Sequence, residues 1–371
     1  MDPARPARPA SGPAKPDPRQ PLDDAMSICR LRLLILIAAW LTCSAQAAET
    51  LRVLAWPGYA DPDIVKVFEQ QHKVSVQVTV VSSDENLWDR VSANKGGDFD
   101  VFAVNTAELK RYLDAGLVVP LTLANIPNIA TQQPRFRDRQ AIPNIARGSD
   151  VYAVPYTYSD MGIIYDRQQV KSPPDSISAL WDPQYKGRVL AFDTGGHNFS
   201  IAALALGKTN PFQLDEAGYK DATAHLVALR RNVLTFYSLP EESVQLFRDH
   251  KVALLFANYG TQQVQQLKKA GADIGYVIPK EGALAWLDCW TVTRGAKNRA
   301  LAEAWINYML EKPVGQALVE RQGLANTVDT SPSADRNSKI IWLEPVENPD
   351  RRSSIWARII SGDRLVVLDK P

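Results

Sequence analysis

Cysteine is nearly missing from this chain. Its 371 residues contain three, and two of them, Cys29 and Cys43, fall in an N-terminal segment unlike the rest. That leaves Cys289, so the body of the protein can form no internal disulfide and must be held by its core. Histidine is scarce too. His72, His197, His225 and His250 are scattered, without an i,i+4 pair or a cysteine cluster, and neither a metal nor a cofactor is expected. The sequence has no G-x-S-x-G, no phosphate-binding G-x-x-x-x-G-K-[ST] and no G-x-G-x-x-G after a strand. With no set of nucleophile, base and oxyanion stabiliser, an enzyme is the weaker class. Runs of basic residues are absent as well. Setting aside residues 1–47 leaves 36 Lys/Arg against 37 Asp/Glu, a net of −1, which disfavours nucleic acid or anionic lipid as the main partner. Beyond residue 47 no apolar run approaches the about 20 residues a membrane span needs.

What is present begins with a two-part N-terminus. Residues 1–25, rich in Pro, Arg, Asp and Ala, are either disordered or lie upstream of the true start at Met26. Arg30 and Arg32, the apolar run 33–41 and the small-residue site Ala45-Gln46-Ala47 make residues 26–47 a signal peptide, cut after Ala47. Trp40 and Thr42 sit where lipoprotein processing at Cys43 wants an aliphatic and a small residue. The expected destination is the periplasm.

The mature chain alternates strands and helices. Residues 51–55 (LRVLA) read as a strand buried on both faces. Trp56-Pro57-Gly58-Tyr59-Ala60 is a loop, and Asp61 caps a helix that Pro62 opens. Strands at 74–81 and 99–104 alternate with helices around Leu87 and 109–113, the pattern of a doubly wound α/β lobe. Ligands of such sheets sit beyond the carboxyl ends of strands; Trp56 and Tyr59 follow the first strand, Asn105 and Thr106 the third. After an irregular crossing at 120–147 and strand-like residues 151–165, a second alternation runs through a strand at 188–192, the turn Asp193-Thr194-Gly195-Gly196 and helices at 199–206 and 219–231. It continues with a capping box Ser238-Leu239-Pro240-Glu241, a strand at 252–256 followed by Asn258-Tyr259, and a strand at 274–278. The expected organisation is two α/β lobes, 50–156 with 287–325 and 157–286, and a tail at 326–371 packing on them through Trp342 and Trp356.

The return from the second lobe, Pro279-Lys280-Glu281-Gly282-Ala283-Leu284-Ala285-Trp286-Leu287-Asp288-Cys289-Trp290, is the most informative stretch. A turn leads into a strand, where Trp286, Asp288 and Trp290 share one face and Leu287 and Cys289 the other. Cys289 is thus a packed thiol, and Trp290, farther from the turn, belongs to the core. A carboxylate between two indoles needs a positive partner, because desolvating it alone costs several kcal/mol. Either a Lys or Arg of the protein supplies that charge, or a ligand does.

Taken together, LRVLAWPGYADPDIVKVFE, FDVFAVNT, AVPYTYSDMGIIYD, LWDPQYKGRVLAFD, IPKEGALAWLDCW and INYMLEKP resemble the periplasmic polyamine-binding proteins, the spermidine/putrescine receptors of ABC importers. The likeness spans roughly residues 51–327. It implies a monomeric, type II-like periplasmic binding protein of two hinged lobes that closes on a linear polyamine and docks on an inner-membrane permease. Trp56 and Tyr59 match the family's aromatic pair after the first strand; Trp286 and Asp288 match its aromatic and carboxylate. Asn105 replaces a serine, and Phe256-Ala257-Asn258-Tyr259 lacks an indole and an acid, leaving Tyr259 in that place. In the second lobe Asp193 is followed by Thr194 and His197 where a further acid is usual. Tyr158 and Asp160, on the crossing strand, complete the expected ligand set; Asp160 would add negative charge or make a hinge salt bridge. A diamine wants two anionic poles and Asp288 supplies one, so a mono-cationic, zwitterionic or anionic solute is the alternative.

Overall fold

The computed structural model describes residues 48–328 and 339–362, together with Gly12. The signal peptide expected at 26–47, the rest of residues 1–25 and, in the expected tail, residues 329–338 and 363–371 lie outside the described residues. In chain order the main elements are β1 (Thr50–Ala55), α1 (Pro62–His72), β2 (Ser75–Val80), α2 (Asp84–Ser92), β3 (Val101–Asn105) and α3 (Thr106–Asp114). After an irregular stretch come β4 (Ala153–Met161), β5 (Ile163–Asp166), β6 (Val189–Phe192), α4 (Gly195–Ala205), α5 (Glu216–Asn232), β7 (Thr235–Tyr237), α6 (Pro240–Asp249), β8 (Leu254–Phe256), α7 (Thr261–Lys269) and β9 (Ile274–Val277). The chain then returns through β10 (Ala283–Val292), α8 (Arg299–Met309), β11 (Ala325–Asn326), β12 (Ile340–Trp342) and α9 (Pro349–Ser361).

Two sheets result. The first runs β11-β4-β10-β3-β1-β2, with β12 added beside the start of β10. Its β1, β2 and β3 are parallel, whereas β10 is antiparallel to β3 and β4. All ten residues of β10 are buried, because this central strand is covered on both faces, and its apolar run matches that position. The second sheet runs β9-β5-β8-β6-β7. The architecture is two doubly wound α/β lobes, as the strand and helix alternation implies.

The lobe boundaries fall elsewhere than expected. Residues 157–161 and 283–286, assigned from sequence to the second lobe, pair with each other inside the first sheet, Leu284 opposite Met161 and Trp286 opposite Ser159. Splitting either strand between sheets would break its ladder. The chain changes sheet instead at Gly162, where a Cβ would lie 2.4 Å from the Val277 carbonyl oxygen and 2.8 Å from the Tyr276 ring. Only glycine fits that approach, and its N–H donates to the Tyr276 hydroxyl at 2.9 Å. The capping expectation also moves by one residue: Leu239 is the N-cap of α6, and the Glu242 carboxylate accepts the N–H of Ser238 at 2.8 Å.

The tail bridges both lobes. β12 pairs with β10 of the first sheet, while α9 packs against α4 and α5 of the second lobe. Trp356 is buried there, whereas Trp342 is largely exposed. Arg352 of α9 is fully buried and donates to Glu347, the Gly196 carbonyl, Ser200 and the Pro211 carbonyl. A charge with that many acceptors does not need water.

Candidate functional site

The carboxyl ends of both sheets face a shared cavity, lined by Trp56, Tyr59, Asp84, Asn105, His197, Asn258, Tyr259, Gln262, Trp286 and Asp288. It encloses about 390 Å³ of empty space, part of it open to solvent. Each contribution follows from strand ends. Trp56 and Tyr59 leave β1, Asp84 opens α2 after β2, and Asn105 ends β3. His197 sits in the first turn of α4 after β6, and Asn258 and Tyr259 follow β8. β10 passes beneath and adds Trp286 and Asp288.

Asp288 is the centre of the arrangement. It is 5% exposed and opposes Asn105 on β3, beside an irregularity in the ladder between Asp288 and Cys289. The Tyr59 hydroxyl donates to its Oδ2 at 2.5 Å. No Lys or Arg pairs with it among the described residues, and none lines the cavity. Burial therefore pushes its pKa up to about 7, with the Tyr59 hydrogen bond pulling the other way. The phenol of Tyr59 is itself pushed well up, by burial and then by the neighbouring Asp288 charge. Of the two ways to satisfy this carboxylate, an internal ion pair is not the one used.

The walls are fixed by their polar edges. The Trp56 indole N–H donates to the Ala103 carbonyl at 3.1 Å, and that of Trp286 to the Asn258 carbonyl at 3.0 Å. The rings are thereby held with their apolar faces available. Gln262 donates to the Pro57 carbonyl at 3.1 Å, tying α7 to the loop after β1. Tyr259 turns its hydroxyl to the Ser238 carbonyl at 2.7 Å. It follows that Trp56, Tyr59, Asn105, Tyr259, Trp286 and Asp288 meet as expected around one cavity.

Three expected residues do not. Tyr158 stands opposite Leu287 in the ladder, on the sheet face away from Trp286 and Asp288. Its ring packs on Phe136 at 5.4 Å, and its hydroxyl accepts from Arg135 at 2.5 Å. Asp160 accepts a hydrogen bond from the Tyr276 hydroxyl at the crossover between sheets, a hinge contact and not a salt bridge. Asp193 is taken by the tail, since the Trp356 indole N–H donates to it at 2.7 Å. Trp290 and Cys289 are core residues: Trp290 packs edge-on to Trp305 at 5.9 Å and the thiol is buried.

Asp84, His197, Asn258 and Gln262 were not among the expected ligand residues. Asp84 carried a readable signal, because it follows the second parallel strand as Trp56 follows the first and Asn105 the third. The Asn105 amide donates to Asp84 at 3.0 Å while its oxygen accepts the Glu108 N–H at 2.9 Å. Beyond Asp84 lies a second cavity of about 470 Å³, which shares Asp84, Asn105 and His197 and continues past Glu85, Glu108 and Arg111 to the tail.

Comparison with known proteins gives the family and the fold. The family model described as bacterial extracellular solute-binding protein matches residues 63–340. The chain belongs to that family. The putrescine-binding periplasmic protein PotF of Escherichia coli K12 is 27% identical over 350 residues, covering 86% of this chain and 93% of its own. Among solved structures, the Tp0655 (TpPotD) lipoprotein of Treponema pallidum superposes with a TM-score of 0.71 at 20% identity, over 84% of this chain and 99% of its own. The binding protein MotA of Agrobacterium tumefaciens B6, in complex with glucopine, gives 0.69 at 17% identity, over 84% and 100%. Relatives this distant share the fold, and their different ligands mean that the fold does not choose the solute.

Proposed function

We propose that this solute-binding protein captures a small cationic amine, of the polyamine class that PotF is named for, and hands it to an ABC permease after export to the periplasm. One observation carries the reading: Asp288 is buried at the base of a cavity whose lining offers it a phenol and two indoles and no cation. An ammonium group supplies the missing charge. Its hydrogen bond to the carboxylate is worth about 1.5–3 kcal/mol, and each aromatic face it meets about 0.5–2 kcal/mol. The methylenes of an alkylamine fill the space between Trp56 and Trp286. A carboxylate ligand would meet the ionised Asp288 as a like charge, which disfavours an anion or an amino acid. No constellation for turnover accompanies the site, and the family is one of binding proteins.

Isothermal titration of the mature chain from Ala48 with putrescine, spermidine, agmatine and butylamine tests the proposal. Heat of binding with at least one of them is expected; silence with all four overturns the amine reading.

A further inference from the structure

Helix α9 fills a place in the second lobe and also touches the first. Its own start is capped from within, because the Asn348 side chain accepts the Arg351 N–H at 2.9 Å. One turn further along, the Ser353 hydroxyl donates to Glu85 Oε1 at 3.0 Å. Glu85 belongs to the first turn of α2, in the first lobe, and the Thr194 hydroxyl donates to its two oxygens at 3.3 and 3.4 Å. Thr194 is the N-cap of α4, yet its side chain makes no capping bond to that helix. A threonine at this position ordinarily offers its oxygen to an N–H of its own first turn. Here the hydroxyl is given to the other lobe.

The two hydroxyls come together for a steric reason. A Cβ on Gly195 would lie 2.8 Å from the Arg352 carbonyl oxygen and 3.0 Å from the Ser353 Cα. Without that atom α9 lies directly on the first turn of α4, and Arg352 holds it there through the Gly196 carbonyl and Ser200. Ser353 and Thr194 therefore move with the second lobe, while Glu85 moves with the first. The Glu85 carboxylate rests at the amino end of α4, where the helix dipole favours an anion. The chain allows this contact to break. The Leu343 N–H donates to the Ala285 carbonyl of the first sheet at 2.8 Å, and the Glu347 N–H to the Phe212 carbonyl of the second lobe at 3.2 Å. Residues 344–346 between them are a further link, beside those at Gly162 and 278–282. Bending there parts Glu85 from both hydroxyls and leaves α9 seated. Arg111 and Asp350 also span the gap, at 3.6 Å, but Asp350 is 92% exposed and so screened a pair contributes little.

We propose that Glu85, Thr194 and Ser353 form a latch that holds the two lobes closed whether or not a solute is bound. The inference rests on the binding-protein fold and not on which solute it takes. None of the three residues lines the cavity around Asp288; they line the one beyond it, toward the tail. The latch thus makes no distinction among ligands. It raises the affinity of every solute held by the closed form by the same factor, because less of the binding energy goes into closing the lobes.

Pulsed electron resonance on the mature chain, with no solute added, measures the closed fraction. Nitroxide labels attached through Asp89→Cys in α2 and Lys220→Cys in α5 report the distance between lobes, and the buried Cys289 escapes labelling. The labelled parent is expected to show a population at the closed distance. Ser353→Ala should lower its closed-to-open ratio about tenfold, the loss of one hydrogen bond to a charged group. Glu85→Ala should lower the ratio at least as far, and adding Ser353→Ala to it should change nothing more. A parent with no closed population, or a Ser353→Ala protein as closed as its parent, overturns the latch. Losses that simply add in the double variant overturn it too, because Ser353 would then act through the seating of α9. Should Glu85→Ala fail to fold, the parent and Ser353→Ala decide alone. No amine enters the measurement, so the amine reading stands or falls separately.

Discussion

Asp100, just before β3, and Asp288, in the middle of β10, are both buried carboxylates of one sheet, and the protein treats them in opposite ways. Asp100, just before β3, is 1% exposed and receives the Arg52 guanidinium at 2.7 and 3.0 Å and the backbone N–H groups of Arg52 and Lys297 at 2.8 and 2.7 Å. Burial alone would raise its pKa, but these donors outweigh that and hold it below the ordinary value. Asp288 is buried almost as deeply, receives one phenol, and rises to about 7. Depth does not separate the two aspartates; the presence of an internal cation does. Asp100 sits at the amino end of a strand, where nothing arrives. Asp288 sits by the carboxyl ends of β1 and β3, the side on which ligands of such sheets bind.

The sharpest way to break the contrast is Asp100→Asn, which strips the counter-charge from a largely buried Arg52. It is expected to cost about 3–5 kcal/mol in urea unfolding, and a loss under about 1 kcal/mol would erase the distinction. Asp288→Asn should act with the opposite sign in the ligand-free protein. The folded pKa of about 7 exceeds the unfolded value of 3.8, so the native state holds the proton more tightly and stability declines as pH rises from 4 to 7. Above pH 7 the variant, which has no such charge to bury, should melt higher than the parent. The difference has an upper bound on the order of 4 kcal/mol. A melting curve equally pH-dependent in both proteins would show that Asp288 is not the titrating group.

The same variant should weaken amine binding by at least about 1.5 kcal/mol, the increment of a hydrogen bond to a charged group; unchanged affinity at pH 8 removes Asp288 from the site. Tyr59→Phe is subtler. Losing the hydroxyl removes the one contact that lowers the Asp288 pKa, so the pH at which amine affinity rises should move upward from about 7. Binding at pH 7 should fall by about 1 kcal/mol, and a profile that stays put would make the 2.5 Å contact unimportant. The smallest effect is expected for Asp193→Asn. Its carboxylate serves Trp356, so amine affinity should change by under about 0.5 kcal/mol, and a larger loss would return Asp193 to the ligand set.

Much of this is legible along the chain, and the places where the fold departs from it share a cause. The two lobes follow from periodicity, and the aromatic wall from the rule that ligands lie past strand ends. Tyr158 was misplaced because a strand's alternation says which residues share a face, not which face meets the cavity. That depends on its register against β10, where Tyr158 falls opposite Leu287. The lobe boundary was misplaced because residues 151–165 read as one strand-like run, with nothing local to show that Val277 and Tyr276 close in on Gly162. Asp193 was correctly sited at a strand end, but a tail helix more than 150 positions later claimed its carboxylate. The same strand-end rule reaches Asp84, which opens the helix after β2.

The order of strands, helices and turns, the aromatic and acidic run at 286–288 and the likeness to a receptor family were determined by sequence alone, because propensity, periodicity and motif order are local. Which carboxylates find a counter-charge was decided only by tertiary structure. Arg52 reaches Asp100 across 48 positions and Tyr59 reaches Asp288 across 229, and electrostatic energy depends on distance in space. Along the chain both aspartates are acids in apolar surroundings; in the folded protein one is paired with a guanidinium and the other receives only a phenol.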